Sequence, residues 1–537
     1  MKKREQMMNR LLIYILPLVL FSCKQATTQY SAEAEQTAES SYYMEDHRPQ
    51  FHFSPEKMWM NDPNGMVYFD GEYHLFYQHY PDSNVWGPMH WGHSVSQDLV
   101  LWEHLPIALY PDSLGYIFSG SAVIDHNNTS GFGTAEQPPM IAIFTHHHPE
   151  GAADEEVIKY QYQSIASSTD RGRTWTKYEG NPVVANPGIR DFRDPKVIWD
   201  DDSQQWVMIF AAYDHSKIYG SPDLKSWQHL SDFGKNRGIH SGVWECPDLF
   251  PITVAGTSEK RWVLIQSINP GGPKGGSATQ YFVGDFDGKK FSLDKDFEEF
   301  VKDENAVWLE YGKDNYAGVT WSDIPDEDGR RLFMGWMSNW EYAQVVPTYV
   351  WRSAMTIPRQ LVLSQTEVGL RIASQPVDEL KKLRIQSVEV APGPVERQVD
   401  LLSGIQQQEG LYEIEVEFEN TGTGDIAFVL SNQQGESLSF GFESDRNHYY
   451  VDRSGSGKVD FSEKFSGKRD APRISSSERL TLHCFIDVAS IEIFADGGLT
   501  VMTEIFFPNE VMKELRLEAS EGLAVVSGSV HALRRIW

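Results

Sequence analysis

The sequence predicts an all-β protein, a five-bladed β-propeller followed by a β-sandwich, and three observations carry that expectation. Long helical periodicity is almost absent from the body of the chain. Short alternating runs dominate instead, among them "MVYFDGEYHLFYQ" (66–78), "KVIWDDDSQQWVMIFAAY" (196–213) and "RLFMGWMSNW" (331–340), each broken by Asp, Gly or Ser where a hairpin turn belongs. Finally, a local signature recurs: "SQDLVLW" (96–102), "STDRGRTW" (168–175), "SPDLKSW" (221–227) and "GDFDGKKF" (284–291) each set an aspartate four or five residues before an aromatic. The closing aromatics Trp102, Trp175, Trp227 and Phe291 are spaced widely enough for a four-stranded antiparallel unit with its loops. A fifth unit without the signature fits at about 305–360. A long stacked sandwich is the competing architecture, but it does not require the repeat.

The chain of 537 residues is 40% hydrophobic and 12% aromatic, ample for two packed domains. Its formal net charge of -29 argues against a nucleic-acid partner, because phosphate binding needs clustered positive charge. Residues 1–23 join a basic start to an apolar run, Leu11 to Phe21, too short for a confident membrane span, and read as an export signal. The run ends in "LFSC", which resembles a bacterial lipobox. That resemblance implies lipidation of Cys23, an exported lipoprotein and attachment to a membrane; an ordinary secretory signal is the alternative. Residues 24–46 are polar and without periodicity, a flexible tether. The two remaining cysteines, Cys246 and Cys484, make neither a disulfide framework nor a CxxC zinc signature.

The propeller is expected over 47–375, with a connector at 376–389 around "PVDELKKLRI" (376–385) and the sandwich over 390–537. A structural role is expected of the sandwich in preference to sugar binding.

In a propeller the first strand of each blade lies nearest the central channel. Three acidic segments fall into that register: "MNDPNG" (60–65) opens the first unit, "FRDPKV" (192–197) the third and "WECPDLF" (244–250) the fourth. Asp62, Asp194 and Glu245 are therefore expected to converge on the axis. Each is followed closely by proline, which fixes its own backbone and pushes the preceding residue toward extended geometry. A single Asp-Pro is commonly a turn, but three in blade register point to a shared site. Clustered carboxylates among tryptophans suit sugar chemistry, in which aromatic faces stack on the ring and carboxyls act as acid, base and nucleophile. A metal site is the competitor. No HxH or HExxH spacing stands nearby, and "THHHPE" (145–150) reads as a loop at a blade rim, so no metal is expected. Nor is any cofactor expected. Cys246 reads as a small buried packing residue.

The motifs "WMNDPNG", "FYQHYP", "WGHSVSQDLVLW", "IFSGSA", "FRDPKV", "ECPDLF" and "MSNWEYAQVVPTYVWRSAMTIPRQL", in this order over residues 50 to 360, resemble glycoside hydrolase family 32, the invertases, levanases and inulinases. "CFIDVASIEIFADGG" (484–498) resembles the family's β-sandwich module. The resemblance implies a fructan- or sucrose-cleaving hydrolase in which Asp62 is the nucleophile, Glu245 the general acid and base, and Asp194, beside Arg193, the third carboxylate that binds fructose hydroxyls. It also implies that Asn61, Gln78, Trp86, Phe118, Ser119 and Trp340 line the fructose subsite. Such a mechanism asks Asp62 to be ionised while Glu245 holds a proton. "NWEYAQVVPT" looks like the exo-acting levanases and inulinases. An endo-acting fructanase and a non-catalytic fructan-binding lipoprotein are the other readings.

Overall fold

The computed structural model describes residues 42–134, 136–154, 156–395, 398–419, 424–520 and 523–537. The predicted leader and most of the predicted tether, with Cys23, lie outside the described residues. Five antiparallel sheets follow one another along the chain. Their innermost strands are Met58–Phe69, Tyr116–Ile124, Phe192–Asp200, Val243–Thr253 and Tyr316–Thr320. Each of these strands contacts the next, and the fifth contacts the first, so the sheets close a ring as the blades of a propeller. A short strand, Trp351–Arg352, pairs in parallel with the start of the first blade's inner strand and ties the last blade to the first.

The recurrent aspartates are turn formers. Asp98 accepts the N–H groups of Val100 and Leu101, Asp170 that of Thr174, Asp223 those of Lys225 and Ser226, and Asp287 those of Lys289 and Lys290. Each caps the hairpin between the third and fourth strands of a blade. The expectation that the aromatic closes the unit needs correction, because the fourth strand begins at it or just after it: Trp102–Leu109, Thr176–Lys177, Gln228–Phe233 and Phe291–Leu293. The fifth blade also extends past residue 360, since its outer hairpin is Arg359–Thr366 with Gly369–Pro376.

Two sheets form the sandwich around a core that includes Ile414, Phe418, Phe428, Phe440 and Leu517. The segment expected as a connector holds a 3-10 helix, Asp378–Leu383, and then a strand, Arg384–Glu389, that pairs with Ala524–Leu533 inside the sandwich. Every second residue of that strand is exposed, so its half-polar pattern reads as a linker in sequence.

Propeller and sandwich are joined by buried charge. Glu492, on the sandwich strand Ser490–Ala495, accepts the N–H of Ile357 (2.8 Å), the Arg359 guanidinium and His52 Nε2 (2.9 Å). Asp487 accepts the N–H groups of Gln50 and Phe51 and bonds His52 Nδ1 at 2.8 Å. Buried charges persist only when paired and hydrogen-bonded, so losing one partner strands the rest. Burial pulls the His52 imidazole down, but its bonds to Asp487 and Glu492 outweigh that and hold its pKa up at about 9 against an ordinary 6.5. A raised histidine pKa stabilises the fold fully below the ordinary value, and the contribution is lost as pH rises through the folded value. Thermal melts of the protein should therefore lose stability between about pH 6.5 and 9. His52→Asn should melt lower at pH 6 and flatten that slope, and an unchanged slope contradicts the role assigned to His52.

Candidate active site

Each innermost strand carries one extra residue relative to its neighbour at the corresponding level. The pairs facing a single partner are Asn61 and Asp62 in the first blade, Phe118 and Ser119 in the second, Asp194 and Pro195 in the third, Cys246 and Pro247 in the fourth, and Ala317 and Gly318 in the fifth. Such bulges interrupt the ladder and re-aim the side chains beside them. Proline is tolerated there because no ladder bond is asked of its nitrogen. Asp194, Cys246 and Ala317 sit at φ of 64°, 45° and 53°, a conformation that non-glycine residues adopt only when their surroundings impose it.

The bulges bring Asp62, Asp194 and Glu245 into one hydrogen-bonded cluster. Asp62 Oδ1 accepts Asn61 Nδ2 at 3.0 Å, and Oδ2 accepts the Ser119 hydroxyl at 2.8 Å. Asn61 is itself oriented by the Trp59 indole N–H, which donates to its Oδ1 at 2.7 Å. The Cys246 N–H donates to Asp194 Oδ2 at 3.0 Å, while the Cys246 thiol lies 3.6 Å from Asp194 and 3.7 Å from Asp62. Burial pushes that thiol well above the ordinary cysteine range, and the three carboxylates push it the same way. It is a neutral filler between two acids.

Arg193 is the shared cation. Its guanidinium reaches Glu245 Oε1 at 3.0 Å, Asp191 Oδ1 at 2.5 Å and Asp194 Oδ2 at 3.8 Å. The Tyr316 hydroxyl donates to Glu245 Oε2. Gln266 holds the Glu245 carbonyl at 2.8 Å and is fixed in turn by Ser216 at 2.6 Å. Of the remaining expected residues, Gln78 is buried on the neighbouring strand between the partners of Met60 and Pro63, opposite the first bulge, and its Nε2 has no hydrogen-bond partner among the described residues. Trp86 and Phe118 meet edge to face with centroids 6.1 Å apart, and Trp340 lies 5.8 Å from Trp59.

Several members were not legible in sequence. Tyr316, Asp191 and Gln161, whose Oε1 accepts the Phe192 N–H at 2.7 Å, carry no motif of their own. Thr145 lies in a segment that reads in sequence as a loop. "THHHPE" is no rim loop at its start, because Thr145 to His147 end the strand Met140–His147. The Thr145 hydroxyl accepts the Asp194 N–H at 3.0 Å, and His147 stacks on Phe118 with centroids 4.1 Å apart.

Family models for the glycosyl hydrolases family 32 N-terminal domain and C terminal match residues 52–376 and 379–533. The chain belongs to glycosyl hydrolase family 32. It is 48% identical over 523 residues to a levanase of Bacillus subtilis (strain 168), covering 95% of this chain and 73% of that protein. An extracellular exo-inulinase of Aspergillus niger is 37% identical over 526 residues, which cover 92% of this chain and 96% of its own. Among solved structures, the exo-inulinase of Aspergillus awamori superposes with a TM-score of 0.83 at 34% identity, covering 92% of this chain and all (100%) of that one. The β-fructofuranosidase of Schwanniomyces occidentalis in complex with fructosyl-erythritol gives 0.81 at 31% identity, covering 92% and 99% of the two chains.

In this family 32 chain the cluster strains the fold that carries it. Burial pushes the Asp194 carboxyl up to about 7; Arg193 opposes the shift, and the charges of Glu245 and Asp62 reinforce it. Asp62 is likewise raised by burial, against its bonds from Asn61 and Ser119 and with help from Glu245. A carboxyl raised in the folded state binds protons more tightly there than when unfolded. Its ionisation therefore costs stability as pH climbs from the ordinary value of 3.8 to about 7. Asp194→Asn removes that cost, so its melting temperature should gain on wild type across this window and hold the gain above it, while activity falls. A variant no more stable than wild type at pH 8 contradicts the raised carboxyl.

Proposed function

We propose that the protein is a retaining, exo-acting fructan hydrolase that releases fructose from the ends of levan or inulin chains and from sucrose. The observation that carries this reading is the hydrogen-bonded convergence of Asp62, Asp194 and Glu245, supported by relatives that are levanases and exo-inulinases. Asp62 attacks the anomeric carbon of the terminal fructosyl unit. The bond to the leaving oxygen breaks, and that oxygen takes the proton of Glu245. Water then attacks the same carbon, gives its proton to Glu245 and frees Asp62, so configuration is retained. Asn61 and Ser119 hold the Asp62 carboxylate in one rotamer by a bond to each oxygen. Arg193 and Tyr316 hold both oxygens of Glu245, which fixes the direction in which its proton travels.

Asp194 binds hydroxyls of the fructosyl ring and stabilises the positive charge that develops there. Gln78 offers its buried amide to the same ring, and Trp86, Phe118 and Trp340 wall it. Cys246 packs between the acids as a neutral thiol.

Incubation with levan, inulin and sucrose, with early products resolved by size, tests the reading. Fructose alone is expected, appearing first as the β-anomer by NMR; a ladder of oligosaccharides makes the enzyme endo-acting, and the α-anomer first rules out retention. Asp62→Asn and Glu245→Gln should each lose about 10²-fold or more in turnover while melting cooperatively. Binding without turnover in wild type leaves a fructan-binding protein.

The same proposal places the enzyme outside the cytoplasm, held to a membrane by a lipid on Cys23 and spaced from it by the polar tether. The "LFSC" ending after a short apolar run supports this. Fractionated cells should yield the protein with membranes and Cys23→Ala in soluble or unprocessed form; native protein that is wholly soluble, without lipid on Cys23, refutes the anchor.

A further inference from the structure

We propose that Tyr213 is a stacking platform for the departing sugar chain, on the leaving-group side of the bond to be cleaved. The inference rests on the fructan-cleaving reading of the site and adds a residue that none of the sequence motifs marks. Tyr213 follows the strand Gln205–Ala212 and opens the turn into Ser216–Ser221. Ala212 pairs with Phe192, so the turn stands beside the entry of the third blade's innermost strand, next to Arg193.

Its backbone spans the seam between two blades. The Tyr213 N–H donates to the Asp191 carbonyl at 2.9 Å, and the Trp244 N–H donates to the Tyr213 carbonyl at 2.7 Å. Asp191 is the partner of Arg193, and Trp244 immediately precedes Glu245. A single residue thus links the entries of the strands that carry Asp194 and Glu245.

Two features of Tyr213 are unexplained by that linkage. Its φ is 67°, in the left-handed region where a bulky aromatic is strained and Asn or Gly is at ease. The residue is 52% exposed, so packing does not account for the ring. Strain held at an exposed aromatic beside a cluster of raised carboxyls is the kind of outlier from which a functional role is inferred.

The placement of the acid says which part of the substrate the ring meets. Asp62, Asn61, Ser119, Trp86 and Phe118 belong to the first two blades and hold the fructosyl unit. Glu245, on the fourth blade, must touch the leaving oxygen, so the departing chain runs out on its side. Tyr213 stands on that side, at the seam of the third and fourth blades. A flat phenol there offers an apolar face to a fructosyl ring and a hydroxyl to its alcohols.

The test compares Tyr213→Phe, Tyr213→Ala and Tyr213→Asn on long fructan chains and on sucrose, whose leaving group is a single glucose. Asn keeps the backbone at ease at positive φ, which separates loss of the ring from damage to the turn. Ala and Asn should lose roughly 3- to 10-fold in kcat/KM on the long chains, through KM, with sucrose changed least and Phe close to wild type. Equal losses on sucrose and polymer, or losses confined to kcat, overturn the platform in favour of a purely positioning role for the turn; no loss overturns it outright. Calorimetric binding of a fructo-oligosaccharide to Asp62→Asn and to Asp62→Asn with Tyr213→Ala reads the contact without turnover. The second variant should bind more weakly by the same factor, and equal affinity refutes the proposal. If wild type cleaves none of these saccharides, the hydrolase reading fails, and the binding comparison still decides the role of Tyr213.

Discussion

One extra residue at the same level of the innermost strand of every blade is the constraint on which the site depends. A regular strand facing an axial channel would turn alternate side chains toward and away from it, and consecutive residues could not both serve the site. The bulges break that alternation at one level of the ring. They let Asn61 and Asp62 act as neighbours, seat Ser119 within reach of Asp62, and turn the Cys246 N–H onto Asp194. The residue or pairing site facing the bulge is used as well: Gln78 is opposite the first, Thr145 accepts the Asp194 N–H, and Gln266 holds the Glu245 carbonyl. Prolines at 63, 195 and 247 lie in or beside three of the five bulges and stiffen what the bulge has bent.

The second constraint is charge. Arg193 is the close cation of Asp194 and Glu245, with Asp191 competing for the same guanidinium, while Asp62 is held by Asn61 and Ser119. Burial, reinforced by the charges of the neighbouring carboxylates, is what lifts Asp62 and Asp194, and carboxyls raised in this way are poised to change protonation state. At the sandwich interface, by contrast, the buried carboxylates are met by arginines. Arg359 there joins Glu310 to Glu492, and Arg453 joins Asp314 to Glu504. Arg359, Glu492, Asp314 and Glu504 bind propeller to sandwich directly, which gives the C-terminal module a structural part in holding the blades that carry the site.

Much of this was legible in the sequence, because proline and aspartate act locally. Asp-Pro marks two of the three carboxylates and Glu-Cys-Pro the third, and the turn-capping aspartates 98, 170, 223 and 287 count four of the blades. What sequence reasoning missed is set by tertiary pairing. Tyr316 meets Glu245 only because the fifth blade closes beside the fourth, and Thr145 reaches Asp194 only because a second strand ends at the level of a third blade's bulge. Arg384–Glu389 reads as connector because its alternation is only half apolar, and its place in the sheet is decided by Ala524–Leu533 far along the chain.

The proposed mechanism requires Asp62 to form a bond to the sugar, and trapping that bond tests it most directly. In Glu245→Gln, a fructoside with an activated leaving group needs no acid to depart, but hydrolysis of the ester still needs the missing base. Rapid acid quenching followed by peptide mass spectrometry should find one fructosyl group on the peptide that contains Asp62. Turnover of that fructoside with no adduct on any carboxylate, or an adduct on Asp194 in its place, contradicts the mechanism.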